Sequence, residues 1–160
     1  MDDRQFRNAM GKFATGVNVI TTEVDGDIHG MTANAFMSVS LDPKLVVISI
    51  GENASMLEKV RKSKKYAINI LSQSQKELSM IFAGQIKEDR NVSFESLADL
   101  PVIKEANTQI SCEVVNEYVE GDHTLFIGKV IDLKLQECSD PLLFYKGKYT
   151  SLEKTEEAVM

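Results

Sequence analysis

The chain has 160 residues and a mass of 17.8 kDa, with 43% hydrophobic and 26% charged residues. That length fits one domain, that mixture excludes wholesale disorder, and roughly 70% of the unfolded surface can be buried without a metal or disulfide staple. A net charge of −6 and a pI near 5.0 argue against nucleic acid or an anionic membrane as partner, since both need clustered Lys and Arg.

No apolar run approaches a membrane span; the longest clean one is Leu45-Val46-Val47-Ile48. The start, Met1-Asp2-Asp3-Arg4-Gln5-Phe6, is too polar and acidic for a targeting peptide. Two separated cysteines, Cys112 and Cys138, fit a reducing cytoplasm, and with only His29 and His123 beside them no metal site is expected.

In chain order, Phe6, Ala9, Met10, Phe13 and Ala14 recur at helical steps, with Gly16 as the stop. Val17 to Val24 is β-branched and reads as a strand, turned at Asp25-Gly26-Asp27 into a returning strand from Ile28 to Ala33. Phe36 to Leu41 is a short strand ended by Asp42-Pro43, and Leu45 to Ile50 reads as a strand buried on both faces. Ser55-Met56-Leu57-Glu58 has the capping-box pattern of a helix reaching about Lys62. A strand from Lys65 to Leu71 and a helix from Gln73 to Ala83 follow. Gly84 to Asn107 shows no sustained period and reads as a long excursion with short helical pieces, a candidate lid.

Thr108 to Val119 and Thr124 to Leu135 read as long strands, with Gly128 marking a bend or a close backbone approach. Pro141 to Leu152 offers one or two further strands, and residues 153–160 a frayed, flexible tail. The pattern predicts one domain over residues 1–160, mainly β with peripheral helices, as a closed or nearly closed antiparallel barrel; an open α+β sheet also fits the periodicity.

No phosphate-cradling glycine loop, nucleophile elbow or metal motif is present. Three segments stand out. The first, Gly30 to Pro43, is dominated by small and hydroxyl-bearing residues; it suits the close approach of a flat ligand, or a corner where strands cross. The second, Ser49 to Ser55, precedes a helix and serves as an anion site or simply as its cap. The third, Gly121-Asp122-His123, either holds a substrate's polar group or is a solvated hairpin turn.

Taken in order, Phe13-Ala14-Thr15-Gly16-Val17, Gly30-Met31-Thr32-Ala33-Asn34-Ala35-Phe36 and Ser38-Val39-Ser40-Leu41-Asp42-Pro43 resemble the flavin reductase-like family. Phe82-Ala83-Gly84, Gly121 to Gly128 and Pro141 to Tyr149 continue the resemblance, which covers Phe6 to Leu152. It implies an FMN-binding antiparallel split β-barrel and a homodimer with one flavin per subunit near the dimer interface. The implied activity is hydride transfer from NADH or NADPH to FMN or FAD. A separate flavin-dependent oxygenase is the implied partner, as in two-component monooxygenases. The flavin would carry the redox chemistry, so the missing nucleophile and triad are expected.

The resemblance also implies residue roles. Thr32, Ala33 and Asn34 would contact the flavin ring and chain, and Ser40 and Leu41 the ring edge. Ser49, Ile50 and Ser55 would lead to the ribityl chain and phosphate, and Phe82 and Ala83 would close the site. Arg90 would meet a phosphate or pyrophosphate, although the aromatic that often follows this arginine in the family is replaced by Asn91. His123 would help place the nicotinamide, and Tyr149 is a second candidate for that role. A flavin-binding electron carrier, flavin store or ferric reductase on the same fold is the alternative. A pyridoxamine-phosphate-oxidase-like enzyme is less favoured, because the motif segments lack an Arg and Lys cluster.

Overall fold

The computed structural model describes residues 1–87, 91–137 and 140–153. In chain order the elements are α1 (Asp3–Met10), β1 (Thr15–Gly16), β2 (Asn18–Val24), β3 (Asp27–Ala33), β4 (Phe36–Leu41), β5 (Lys44–Gly51), α2 (Met56–Ser63) and β6 (Lys65–Ile70). A single 3₁₀ turn then leads into α3 (Lys76–Phe82), β7 (Phe94–Leu97), β8 (Leu100–Ile103), β9 (Thr108–Glu120), β10 (His123–Leu135), β11 (Leu143–Tyr145) and β12 (Lys148–Thr150).

Seven strands form one antiparallel sheet in the order β3-β2-β6-β9-β10-β5-β4. Its two edge strands, β3 and β4, are joined by only Asn34 and Ala35. Ala33 and Phe36 are three Cα steps apart, at most about 11 Å, so the sheet must curl until its edges meet at this corner. No ladder joins β3 to β4 among the described residues, so the closed barrel expected from the strand pattern is corrected to an open, curled sheet. The reason is local: Phe36 N–H bonds Asn34 O and Ser49 N–H bonds Ala35 O, which turns β4 onto β5 and away from β3.

The main core fills the sheet's concave side. Ile20, Ile48, Ile50, Tyr66, Ile68 and Phe126 pack there against Met56, Leu57 and Val60 of α2. A second cluster (Val17, Val19, Leu71, Ile103 and Leu142) lies on the opposite face, under α3 and the β11–β12 hairpin. β2, next to the sheet edge, is therefore buried on both faces over most of its length. In β5 burial alternates instead: Val46, Ile48 and Ile50 are buried while Leu45, Val47 and Ser49 are half-buried. The both-faces reading of Leu45–Ile50 is corrected, and the second apolar face has a different use, described below.

Three further expectations differ. The first helix ends at Met10, where Lys12 and Phe13 N–H groups bond three residues back, rather than at Gly16. Ser55 sits in helical backbone (φ −59°) and makes no side-chain cap, so its capping-box reading falls. Within the 84–107 excursion lies a hairpin, β7–β8, rather than short helices. Its turn places Ala98 and Asp99 both at positive φ, the geometry of a two-residue hairpin loop that usually uses Asn or Gly. Leu100 and Val102 are buried against the main sheet. Buried Asn69 ties the hairpin down: its Nδ2 donates to Val19 O and Thr21 Oγ1, and its Oδ1 accepts from Ile103 N–H at 2.7 Å.

Gly128 marks a close approach, at a β-bulge between Ile127 and Gly128. A Cβ there would run into the Tyr66 hydroxyl and lie 2.8 Å from Tyr66 Cζ and 2.9 Å from Cys112 Cβ. Both neighbours are fully buried and cannot withdraw. Gly128→Ala is expected to destabilise the fold by about 2–3 kcal/mol through overpacking. Denaturant melts measure this, and Tyr66→Phe, whose hydroxyl makes only a long 3.4 Å contact to Phe126 O, is expected to restore part of the loss.

Candidate functional site

Beside the β3–β4 corner lies a cleft of about 780 Å³, within the range of small-molecule sites, about 300–1,000 Å³. One wall is Asn34, Ala35, Phe36 and Met37 at the corner; the floor is Val47 and Ser49 of β5, with Leu125 and His123 of β10. This explains the apolar outer face of β5, which lines the cleft. Helix α1 closes the far side with Phe6, Arg7 and Met10, joined by Phe13 beyond the helix. Helix α1 buries no residue, and Phe6, Met10 and Phe13 are 50%, 56% and 78% exposed. The helical apolar spacing read from the sequence is therefore a cleft-facing stripe rather than a core one.

A second cleft of about 200 Å³ lies between β3 and α3, lined by Thr32, Ala33, Asn34, Ser79, Ala83 and Tyr149 among others. Asn34 and Phe144 line both clefts and stand between them. Small residues allow α3 to sit this close: a Cβ on Gly30 would lie 2.5 Å from the Phe82 ring. Thr32 Oγ1 donates to Ser79 O at 2.6 Å, Ser79 Oγ and Tyr149 Oη share a 2.8 Å hydrogen bond, and the Tyr149 ring meets Phe144 edge-on. The Thr32 hydroxyl is thus committed to α3.

His123 pairs with Gly51 across the β10–β5 ladder, and its ring lies over that glycine, 3.6 Å from where a Cβ would stand. Its Nδ1 lies 2.7 Å from Asp122 Oδ1, and half its side chain is exposed. The hydrogen bond and charge of His123, with Arg7 adding through space, hold the Asp122 carboxyl below the usual carboxylate range. The stabilisation from a lowered carboxylate is complete above its ordinary pKa and lost only as pH falls through the lowered one. Asp122 therefore stays charged throughout the neutral range and keeps the ring oriented.

The structure brings Asn34, Ser49 and His123 to the larger cleft, and Thr32, Ala33, Asn34, Ala83 and Tyr149 to the smaller one. The other sequence-derived candidates fall elsewhere. Ile50 is 1% exposed in the core, and Phe82 packs on Gly30 and edge-on to Phe94. Leu41 is 88% exposed at the end of β4, with Ser40 beside it; neither lines the two clefts. Ser55 lines a separate hollow with His29 and Lys59. Arg90 lies outside the described residues.

Sequence reasoning missed Thr15, Ser79, Gln85 and Phe144 as lining residues. Phe144 and Thr15 sit inside segments already singled out, but nothing in their spacing aims them at a cleft. Thr15 Oγ1 is buried and has no hydrogen-bond partner. An orphaned hydroxyl in a mostly apolar cleft suits a flat ligand with a few polar edge atoms, and so does the set Asn34, Ser49 and His123. The protein offers no competing nucleophile at Cys112, which is fully buried with its thiol pushed up to about 12. Among the described residues no His, Cys, Asp and Glu cluster could hold a metal, and no helix is long and apolar enough to cross a membrane.

The flavin reductase-like domain family matches residues 10–153. An NADH-dependent flavin reductase from a Rhodococcus species is 43% identical over 150 residues, 92% of this chain and 85% of that one. The reductase component of a 4-hydroxyphenylacetate 3-monooxygenase from Thermus thermophilus is 32% identical, covering 92% of this chain and 95% of its own. The solved structure of the flavin reductase PheA2 in its native state superposes with a TM-score of 0.95 at 69% identity, over 96% of this chain and all of that one. With its curled antiparallel sheet and apolar cleft, this chain belongs to the flavin reductase-like domain family.

Proposed function

We propose that this protein is an NADH- or NADPH-dependent flavin reductase, with NADH the first donor to test, that passes hydride to FMN or FAD. The observation that carries the reading is the 780 Å³ apolar cleft at the sheet corner, with Asn34 and His123 both on its lining. When bound, the flavin supplies the hydride-accepting chemistry. The chain's part is to bind, orient and exclude water. Asn34, Ser49 and Thr15 offer polar contacts to a ring edge, and Phe36, Val47 and Leu125 supply apolar walls. Ala33 and Ala83 border the neighbouring cleft, where Tyr149 holds Phe144. His123, braced by Asp122, would hold the carboxamide of the nicotinamide at the cleft mouth.

The finer readings belong to the same proposal. The curled sheet is taken as an FMN-binding split barrel, split between β3 and β4, and residues 1–160 as one domain. A homodimer is proposed because edge strand β4 leaves Met37, Val39 and Leu41 exposed, and β10 leaves Ile131, Leu133 and Leu135 exposed. Reduced flavin is proposed to pass to a separate oxygenase, the role that the Thermus relative's name gives to that protein. A reduced, buried Cys112 and a nicotinamide donor fit a cytoplasmic setting.

The deciding experiment follows loss of NADH or NADPH absorbance with and without FMN or FAD. Flavin-dependent oxidation is the expected result; binding of flavin without turnover would instead favour the electron carrier. His123→Ala is expected to raise the nicotinamide KM about tenfold, the worth of one good polar contact, with little change in kcat. Asp122→Asn should raise it less, because the ring remains but loses its brace; an unchanged KM in both variants would remove His123 from the site. Sedimentation should give twice the chain mass, and Leu41→Glu should shift it toward the monomer.

A further inference from the structure

The larger cleft does not end at Gly11 and Gly147. Both residues, and Arg7, also line an adjoining hollow of about 420 Å³ whose other walls are Asn8, Lys12 and Lys146. Three cationic residues therefore line one end of a mostly apolar cleft; no carboxylate lines either cavity, although the Asp122 carboxyl beside His123 feels the charge of Arg7. In a chain of net charge −6 such a local excess is unusual. It is built by tertiary contact: Lys146 N–H donates to Gly11 O at 2.8 Å, which clips the β11–β12 turn onto the end of α1. The Arg7 and Ala9 carbonyls at that helix end accept from the Gly11 and Lys12 N–H groups. Lys146 is further held over the Tyr145 ring at 5.1 Å.

We infer that the Arg7–Lys12–Lys146 hollow is an anion subsite that takes the phosphate or diphosphate of a nucleotide whose ring lies in the apolar cleft. The inference rests on the flavin reductase reading for the identity of that ring. Two sources share this chemistry, the flavin's own phosphate and the diphosphate of the nicotinamide dinucleotide. Either would leave water for a shared site of three donors, where charge-assisted hydrogen bonds are stronger than neutral ones. Such binding should weaken as salt is added.

The test uses the full chain and equilibrium binding. FMN and riboflavin are titrated by flavin fluorescence, and NAD⁺ and inorganic pyrophosphate by calorimetry, against wild type, Lys12→Gln/Lys146→Gln and Arg7→Gln. The double variant is expected to raise the Kd of pyrophosphate and of one nucleotide about tenfold, with riboflavin unchanged. Its melting temperature should also hold, since neither lysine is buried. A rise for FMN assigns the subsite to the flavin phosphate; a rise for NAD⁺ assigns it to the dinucleotide. An equal rise for riboflavin, or no rise for any phosphate ligand, overturns the inference. If pyrophosphate binds and weakens as expected but wild type binds no flavin, the subsite stands and the flavin reductase reading falls. Normal flavin reduction with phosphate affinities untouched in the variants sinks the subsite alone.

Discussion

A two-residue step governs the architecture. Because β3 and β4 are the opposite edges of a seven-stranded sheet and only Asn34-Ala35 separates them, the sheet cannot lie flat. Its right-handed twist must be wound until both edges reach one corner. The concave side so formed is closed by α2, giving the main core. The corner itself cannot be filled by a ladder, and clefts open on both sides of it. Asn34 borders both.

The small residues that precede the corner serve that constraint before they serve any ligand. Gly30 leaves room for the Phe82 ring, and Thr32 anchors α3 through Ser79. Ser79 in turn holds Tyr149, and Tyr149 meets the Phe144 ring that stands between the clefts. One chain of contacts thus runs from the strand, through the helix, to the C-terminal hairpin. The site's walls come from both ends of the sequence, with α1 and the β11–β12 turn clipped together over the cleft. A wall made of exposed helix and short hairpin has little buried area of its own, which places it at the less stable end of the fold. That suits a site that admits and releases its ligands.

The chemistry divides along the same lines. Rigid strands present Ser49 and His123, while α1 carries apolar side chains and Arg7. The thiol of Cys112 and the hydroxyl of Tyr66 are sealed in the core, each pushed upward by burial, and take no part. What remains for the protein is shape, orientation and charge placement, the expected task when a cofactor supplies the reaction.

Most element positions were legible in the sequence, because alternation, β-branching and turn residues are local signals. The long strands after residue 107, the β2–β3 hairpin and α2 all lie where those signals put them. The β7–β8 hairpin was hidden: its turn uses Ala98 and Asp99 in place of Asn-Gly, and Pro101 sits in its second strand. The apolar stripes of α1 and β5 were visible, but a hydrophobic pattern says that a face avoids water, not whether protein or ligand covers it. The ordered motifs pointed to the family and to Asn34 and His123. The sequence could not say that Ile50 turns inward, that Ser55 faces another hollow, or that Lys12 and Lys146 line the same one. Those outcomes depend on strand phase and on contacts between residues more than a hundred positions apart. The sequence by itself determined the elements and the chemical kind of protein; the tertiary structure decided which of its side chains share a cleft, because the curl at the Asn34-Ala35 corner opens the cleft and the β1–β11 pairing, with the Lys146 N–H to Gly11 O bond, brings the two ends of the chain to its wall.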